Sequence, residues 1–251
     1  MNSIQKTLQL GWNLLKIGLR RPARLSHVFG TALGVSEEVV DGSADLLRFR
    51  QATLNDLLPN TGTELRLTLA LFPQSVSSIS ALEMISLILL MKKARAANVF
   101  EFGTYKGVSA TQLALNLPAH GRLYTLDLPE GQTQVQFPHV AEDKVIAFEN
   151  GKGALVPADV KGRVHFLYQD SAQFDESPYA GQMDFIFVDG SHSAEYVRND
   201  TEKALRMLRR DGIIAWHDCG VMYREVTRYL LQCPLAVTRL QGTTLAFALK
   251  P

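Results

Sequence analysis

The stretch Val99–Ser109, VFEFGTYKGVS, has the residue types of a turn that holds a ligand. A short β-prone run ends at Gly103 and Gly107, and the apolar residues then recur at helical spacing. Glycines let backbone N–H groups approach a bound molecule, and the start of a helix offers unpaired N–H groups to a carboxylate. The stretch therefore predicts a strand, a ligand-binding turn and a helix, although a plain strand-to-helix connection would also need small residues.

A carboxylate stands where the dinucleotide-binding pattern GxGxxG has its first glycine. Glu101 occupies that position, so the turn reads ExGxxxG. A negative charge there would repel a pyrophosphate and suit a ligand that carries positive charge. The turn therefore argues against a nicotinamide dinucleotide.

Four further apolar runs end in polar side chains: Leu123–Asp127, Val164–Ser171, Met183–Asp189 and Gly212–Asp218. Open α/β sheets bind ligands at the carboxyl ends of their strands. Asp127 lies 24 residues beyond Gly103, about where a doubly wound domain places the carboxylate that accepts ribose hydroxyls. Capping of the following helices is the alternative for Asp127 and Asp170. Neighbouring strand ends would also bring Asp189 close to His217 and Asp218.

The ExGxxxG turn and the run from Phe185, FIFVDGSHSAEYVRNDTEKALRMLRRDGIIAWHD, resemble the class I S-adenosylmethionine-dependent methyltransferases. Within them, the run resembles a bacterial branch of small-molecule O-methyltransferases, related to macrolide-sugar O-methyltransferases and to the cephalosporin hydroxylase protein. The resemblance covers Ser78 to the C-terminus. It implies an α/β fold with a Rossmann-like, doubly wound, mostly parallel seven-stranded sheet.

The resemblance also implies S-adenosylmethionine as the cofactor. Its expected contacts are Glu101, Gly103, Thr104, Tyr105, Gly107, Ser109, Asp127, Asp170, Ser171 and Asp189. Asp127 would bind the ribose, and Asp170 and Ser171 would lie beside the adenine.

In metal-dependent O-methyltransferases of similar fold, polar residues after the fourth and fifth strands hold magnesium. The resemblance thus implies Asp189, His217 and Asp218 as ligands of a divalent metal that lowers the pKa of a substrate hydroxyl. His217 departs from the oxygen-only ligand set, since imidazole suits softer metals than magnesium. Three alternatives stay open: a softer metal, magnesium bound without His217, or no metal, with His192 or His217 as general base.

The predicted activity is therefore transfer of a methyl group to an oxygen of a small molecule, with catalytic roles for His192, His217 and Asp218. A sugar or a secondary metabolite is the expected acceptor class. One alternative is a protein that keeps the fold and the cofactor pocket but is non-catalytic or performs different chemistry. A less favoured one is an NAD-dependent oxidoreductase, against which Glu101 counts.

The composition excludes other classes of function. The 251 residues are 46% hydrophobic and 20% charged, with a net charge of +1, so a concentrated basic surface for nucleic acid is not expected. No apolar stretch reaches the roughly 18 residues of a transmembrane helix. Only Cys219 and Cys233 occur, which fits a reducing cytoplasm better than a disulfide framework.

The strand signals divide the chain into an N-terminal helical appendage, residues 1–77, and a methyltransferase domain, residues 78–251. Residues 128–162 form a long, glycine- and proline-rich insertion, a candidate lid with a crossover helix near 142–148. In the appendage, apolar residues recur at helical spacing from Leu8 to Leu19 beside several basic residues. That helix is expected to dock on the core or on a second copy of the chain, with a membrane-surface helix as the alternative.

Overall fold

A computed structural model describes residues 44–59, 64–72, 78–132, 134–140, 143 and 148–251. The predicted helix from Leu8 to Leu19, with its expected role in docking or oligomerisation, lies outside these residues. Most of the predicted crossover helix near 142–148 lies outside them as well. No helix in the described ranges is long and apolar enough to cross a membrane.

Within the described ranges, eight strands form one sheet in the order β1, β7, β8, β6, β5, β2, β3, β4. In chain order they are β1 (Arg50–Ala52), β2 (Asn98–Phe102), β3 (Arg122–Asp127), β4 (Val164–Tyr168), β5 (Met183–Val188), β6 (Leu208–Trp216), β7 (Thr238–Leu240) and β8 (Ala246–Leu249). β8 is antiparallel to β6 and β7, and the other neighbouring pairs are parallel. From β2, the chain adds β3 and β4 on one side and then β5 and β6 on the other. This order confirms the predicted doubly wound, mostly parallel arrangement.

The α-helices connect the strands: α1 (Leu54–Leu57), α2 (Ala81–Lys93), α3 (Val108–Asn116), α4 (Ala158–Lys161), α5 (Ala194–Met207) and α6 (Arg224–Gln232). α2 begins at a capping box, in which the Ser80 side chain accepts from the Glu83 N–H and the Glu83 side chain accepts from the Ser80 N–H. α3 begins at Gly107, which is in the left-handed conformation with φ of 87°. Both helices therefore start where the sequence supplies a specific cap or turn residue.

The core lies on both faces of the sheet. In β5, Phe185 and Phe187 belong to one buried cluster, while Ile186 and Val188 belong to the cluster on the opposite face. Successive side chains of a strand point to opposite faces, so a central strand covered on both sides must be apolar throughout. This is the physical reason for the continuous apolar run at Phe185–Val188.

The edge strand β1 differs from the sequence-based prediction. Residues 1–60 show helical signals only, yet Arg50–Ala52 is a strand that pairs in parallel with β7 and brings the sheet to eight strands rather than seven. Three residues are too few to show an alternating pattern, so the sequence carries no strand signal there. The same segment also contains a short helix, α1 at Leu54–Leu57, which ends just before Pro59.

Candidate active site

Three strand ends meet at the carboxyl edge of the sheet. Phe102 pairs with Val188, and Val188 pairs with Trp216. The residues that follow, Gly103, Asp189 and His217, therefore lie side by side. The Asp189 N–H donates to Phe102 O at 2.8 Å, and the His217 N–H donates to Val188 O at 3.0 Å, which fixes this alignment beyond the strands.

A cavity with an empty volume of about 650 Å³ opens above these strand ends. Seven of the residues expected from the sequence line it: Gly103, Tyr105, Asp127, Asp170, Ser171, Asp189 and His192. Residues that the sequence-based prediction missed also line it, among them His139, Asp143, Lys152, Gln169, Ser191 and Tyr196. The structure thus brings most of the predicted cofactor contacts to one cavity.

The two glycines of the turn are both required by packing, and Gly103 also lines the cavity. Gly103 has φ of +94°, and a Cβ there would overlap the carbonyl oxygen of Asp189. Gly107 has φ of +87°, and a Cβ there would lie 2.5 Å from Val156 Cγ2. A larger residue at 103 would therefore disturb the contact between β2 and β5, in addition to entering the cavity.

Four of the expected cofactor contacts lie behind the cavity wall rather than in it: Glu101, Thr104, Gly107 and Ser109. Glu101 is fully buried, and its Oε2 accepts a hydrogen bond from Thr125 Oγ1 at 2.6 Å. Thr104 Oγ1 lies 2.6 Å from the same Thr125 hydroxyl. Glu101 thus links β2 to β3 beneath the turn, and the cofactor contacts expected of these four residues stay predictions.

Asp127 and Asp170 line the cavity, but both carboxylates already accept hydrogen bonds from protein. Asp127 Oδ2 accepts from the backbone N–H groups of Thr104 at 3.0 Å and Tyr105 at 2.7 Å. Asp170 accepts from the Tyr196 hydroxyl and the Ala172 N–H, each at 2.9 Å, and from the Gln136 N–H at 2.8 Å. These carboxylates therefore hold the glycine turn and the cavity walls in place.

The described residues of the 128–162 insertion pack against the glycine turn and the residues after β5. The Gly153 N–H donates to Tyr105 O at 2.7 Å, and Lys152 Nζ lies 3.2 Å from Asp127 Oδ1. Asp143 Oδ2 accepts from the Ser191 hydroxyl at 2.7 Å and from the His192 N–H at 2.8 Å. The unusual length of this connection was the only sequence signal that it contributes to a site.

The structure brings together Asp189, His217 and Asp218. One ligand-type atom from each lies within 4.8 Å of the other two. His217 Nδ1 is 3.2 Å from Asp189 Oδ1 and 3.0 Å from Asp218 Oδ2. Asp218 has φ of 59°, a conformation that residues other than glycine rarely adopt and that clusters at functional sites. These are the three residues that the resemblance implies as metal ligands.

The two histidines of the site lie among carboxylates. His192 contacts Asp143 through Nδ1, and its Nε2 is 2.6 Å from Asp218 Oδ2. Its ring stacks on Tyr223 with centroids 3.6 Å apart. On the other side, His217 Nε2 is 3.5 Å from Oε1 of Glu83, a residue of α2 that the sequence-based prediction missed. The capping-box spacing of Glu83 indicated a helix start and gave no sign of this second contact.

These carboxylates control the protonation of both imidazoles. Burial lowers the pKa of His192, but Asp218 and Asp143 outweigh it and raise the pKa to about 10. Burial also opposes the charged form of His217, yet Asp218, Asp189 and Glu83 raise its pKa well above the usual value. The surrounding carboxylates therefore stabilise the protonated form of both rings.

The donor set fits a divalent cation. His217 Nδ1 lies 3.2 Å from Asp189 Oδ1 and 3.0 Å from Asp218 Oδ2, and one ligand-type atom of each residue lies within 4.8 Å of the other two. One nitrogen and two carboxylate oxygens suit a first-row transition ion better than magnesium.

Comparisons with known proteins agree with the observed fold. Residues 100–219 match a family model described as a methyltransferase domain. The chain has the class I, Rossmann-like methyltransferase fold, which confirms the resemblance seen in the sequence.

Individual relatives are distant. Over 161 residues, 63% of the chain, it is 29% identical to a caffeoyl-CoA O-methyltransferase of Petroselinum crispum. This match spans 61% of the relative's length, so the chain corresponds to about six tenths of that protein.

Two solved structures share the fold. One is an S-adenosylhomocysteine-bound methyltransferase of Podospora anserina, with a TM-score of 0.51, 19% identity, and coverage of 71% of this chain and 82% of that one. The other is the O-methyltransferase TomG of Streptomyces achromogenes in complex with S-adenosylmethionine, with a TM-score of 0.50, 17% identity, and coverage of 69% and 82%.

Proposed function

We propose that this chain transfers a methyl group from S-adenosylmethionine to an oxygen of a small molecule, beside a divalent cation held by Asp189, His217 and Asp218. The observation that carries the proposal is the position of Asp189. This residue lines the cavity. It also belongs to the group of three ligand-type residues, Asp189, His217 and Asp218, that we call the ligand cluster. A methyl donor in the cavity and an acceptor hydroxyl at the cluster would therefore be neighbours.

The cavity is assigned to the donor. Gly103 and Tyr105 belong to the turn, Asp127 follows β3 where the carboxylate that accepts ribose hydroxyls is expected, and Asp170 and Ser171 also line the cavity. The relatives bound to S-adenosylmethionine or S-adenosylhomocysteine support this assignment. When bound, the cofactor supplies an electrophilic methyl group on a sulfonium. The protein's contribution is alignment of that carbon with the acceptor oxygen.

The cluster is assigned to the acceptor. A bound divalent cation lowers the pKa of a hydroxyl, which removes the need for a strong protein base. This matters here because the surrounding carboxylates stabilise the protonated form of both imidazoles. His192 is then a residue that holds Asp218 in place, and the hydroxyl proton passes to solvent. As the new carbon–oxygen bond forms, the carbon–sulfur bond breaks and leaves S-adenosylhomocysteine.

The acceptor is a small molecule, and we propose a hydroxylated sugar or secondary metabolite. The names of the relatives, caffeoyl-CoA O-methyltransferase and TomG, support small-molecule O-methylation. A cytoplasmic setting belongs to the same proposal. The chain has only two cysteines, Cys219 and Cys233, too few for a disulfide framework.

The first experiment measures cofactor binding. Isothermal calorimetry with S-adenosylmethionine, S-adenosylhomocysteine and NADH is expected to detect the first two and not NADH. Turnover is then followed as S-adenosylhomocysteine formed over a panel of catechols, sugars and other hydroxylated acceptors, after EDTA treatment and again with added Mn²⁺ or Mg²⁺. Absence of binding overturns the proposal. Binding without product over the panel favours the non-catalytic alternative.

Replacement of Asp218 tests the cluster assigned to the acceptor without changing the cavity assigned to the methyl donor. Asp218→Ala is expected to leave the Kd for S-adenosylmethionine within about threefold and to lower kcat about 100-fold or more, because several kcal/mol of stabilisation at the hydroxyl is lost. Asp211→Ala is the matched control, since Asp211 is an exposed aspartate of β6 with φ of 60°, close to the 59° of Asp218. Equal activity of the two variants would contradict the assigned role.

A further inference from the structure

Glu83 makes more contacts than the start of a helix requires. Its Oε2 accepts the Ser80 N–H at 2.7 Å, which completes the capping box of α2. Its Oε1 accepts from Thr244 twice, from the N–H and from the hydroxyl, each at 2.9 Å. The side chain is buried, and the same Oε1 lies 3.5 Å from His217 Nε2. One carboxylate therefore joins α2, the turn before β8 and the ligand cluster.

The charge of Glu83 is not explained by the capping box. Glutamine completes a capping box as well as glutamate does. A buried carboxylate is costly unless a cation or several donors face it. Among the contacts that described residues make with Glu83, only the one with His217 involves a group that can carry positive charge or donate a ring proton. The acid is therefore best explained by its histidine neighbour.

The orientation of the His217 ring also indicates that the Glu83 carboxylate serves this histidine. Nδ1 faces Asp189 and Asp218, while Nε2 is buried and has no hydrogen bond that meets standard geometry among the described residues. A histidine that binds a metal through one ring nitrogen generally donates the proton of the other to a carboxylate or a carbonyl, which fixes the tautomer. At 3.5 Å, Glu83 Oε1 needs only a few tenths of an ångström to serve as that acceptor.

We propose that Glu83 is a positioning residue for His217: it accepts the Nε2 proton and so leaves the Nδ1 electron pair facing Asp189 and Asp218. This inference rests on the proposed function, because it assigns Glu83 a role toward a bound cation. It adds to the three ligands a residue from α2, far from them in the sequence. The role is orientation, since Glu83 does not belong to the ligand cluster itself.

The test is the affinity of the full-length protein for Mn²⁺ alone, measured by calorimetry on Glu83→Gln. Loss of a carboxylate behind a metal-bound histidine typically costs 10- to 100-fold in affinity, and a loss in that range is expected. Ser80→Ala is the matched control. It removes the other half of the capping box, in which Ser80 Oγ accepts the Glu83 N–H at 3.3 Å, and keeps the carboxylate. Its Mn²⁺ affinity is expected to stay within about threefold.

The same Glu83→Gln substitution in a second variant, His217→Asn, distinguishes an effect on the orientation of the imidazole from a general effect of removing a negative charge. His217→Asn replaces the imidazole with an amide that has no Nε2 proton to be accepted. In that background Glu83→Gln is expected to change the Mn²⁺ affinity by less than about threefold, whereas a charge or folding effect would persist unchanged. Equal losses in both backgrounds overturn the proposal, as does an unaltered affinity in Glu83→Gln alone.

Binding of S-adenosylmethionine distinguishes a failure of this inference from a failure of the proposed function. If the unmodified protein binds S-adenosylmethionine but not Mn²⁺, the role of Glu83 is overturned while the cofactor assignment stands. If it binds neither, the proposed function itself fails. The unmodified protein is expected to bind both S-adenosylmethionine and Mn²⁺. If Glu83→Gln then binds S-adenosylmethionine with normal affinity and Mn²⁺ more weakly, the substitution affects the ligand cluster and not the cofactor cavity.

Discussion

Glu101 and Glu83 are both buried carboxylic acids, yet their surroundings shift their pKa values in opposite directions. Burial raises the pKa of Glu101 to about 8, against the hydrogen bonds from Ser109 and Thr125 that lower it. Burial also raises the pKa of Glu83, but His217 and the backbone donors outweigh that effect and hold it well below the ordinary value. At neutral pH Glu101 is therefore mostly uncharged, and the structure does not support the argument from its negative charge.

The pH dependence of stability tests the state of Glu101. Its folded pKa of about 8 lies above the ordinary value of 4.5, so its contribution to folding is fully present below pH 4.5 and is lost as the pH rises to about 8. The full loss is on the order of 5 kcal/mol. Glu101→Gln cannot ionise, so urea denaturation should show the variant gaining stability relative to the native protein across this window. A difference between the two proteins that does not change with pH would contradict the shift.

The ligand cluster could be predicted from sequence because its members follow consecutive apolar runs. Asp189 and His217 come directly after β5 and β6, so a parallel sheet must bring them together. The partners of the histidines could not be found in this way. Asp143 lies in the insertion and Glu83 in α2, and each reaches the site through tertiary packing that no local pattern encodes.

At the scale of the elements, α5 controls the wall of the cavity after β4. Lys203 is buried, and its ammonium donates to three backbone carbonyls: Ser171 at 2.6 Å, Ala172 at 3.2 Å and Phe174 at 2.6 Å. Asn199, one turn earlier, donates to Ser171 O at 3.1 Å. One helix therefore fixes the segment that contains Ser171, a residue expected beside the adenine.

Lys203→Met keeps the length of the side chain and removes the donor. Three carbonyls then lose a charged partner, and the free energy of unfolding should fall by about 2–3 kcal/mol. The Kd for S-adenosylmethionine should rise, because Ser171 lines the cavity. Arg206→Met is the control on the same helix. The Arg206 side chain is 54% exposed and pairs with Glu176, so its loss should cost less than about 1 kcal/mol. Equal costs in urea denaturation would contradict the proposed role of Lys203.

At the scale of the whole molecule, the sequence predicts the centre of the sheet better than its edge. β2 and β5 lie inside the sheet and place buried apolar residues in both core clusters, and that burial is what makes them recognisable. β1 is a three-residue edge strand whose position depends on β7, almost 190 residues later in the chain. Such a pairing leaves no periodic signal near Arg50, which is why the segment was expected to be helical.

The segment before β1 is part of the same core. Leu46 is 0% exposed and Phe49 is 6% exposed, and both belong to the cluster that contains Phe100 and Trp216. Gln51 Nε2 donates to Leu46 O at 2.8 Å, which holds the preceding turn against the strand. The described residues from 44 to 57 therefore contribute a strand to the sheet and buried side chains to its core.

Neighbouring leucines test whether the domain extends to this segment. Leu46→Ala removes a fully buried side chain and should lower the free energy of unfolding by about 2–5 kcal/mol, while Leu47→Ala removes one that is 66% exposed and should stay within about 0.5 kcal/mol. Both variants change the same residue type in the same turn, so helix propensity contributes equally. A single urea transition, shifted only in Leu46→Ala, is expected because the segment unfolds with the sheet. Equal transitions, or a separate early transition for this segment, would instead indicate an independent appendage.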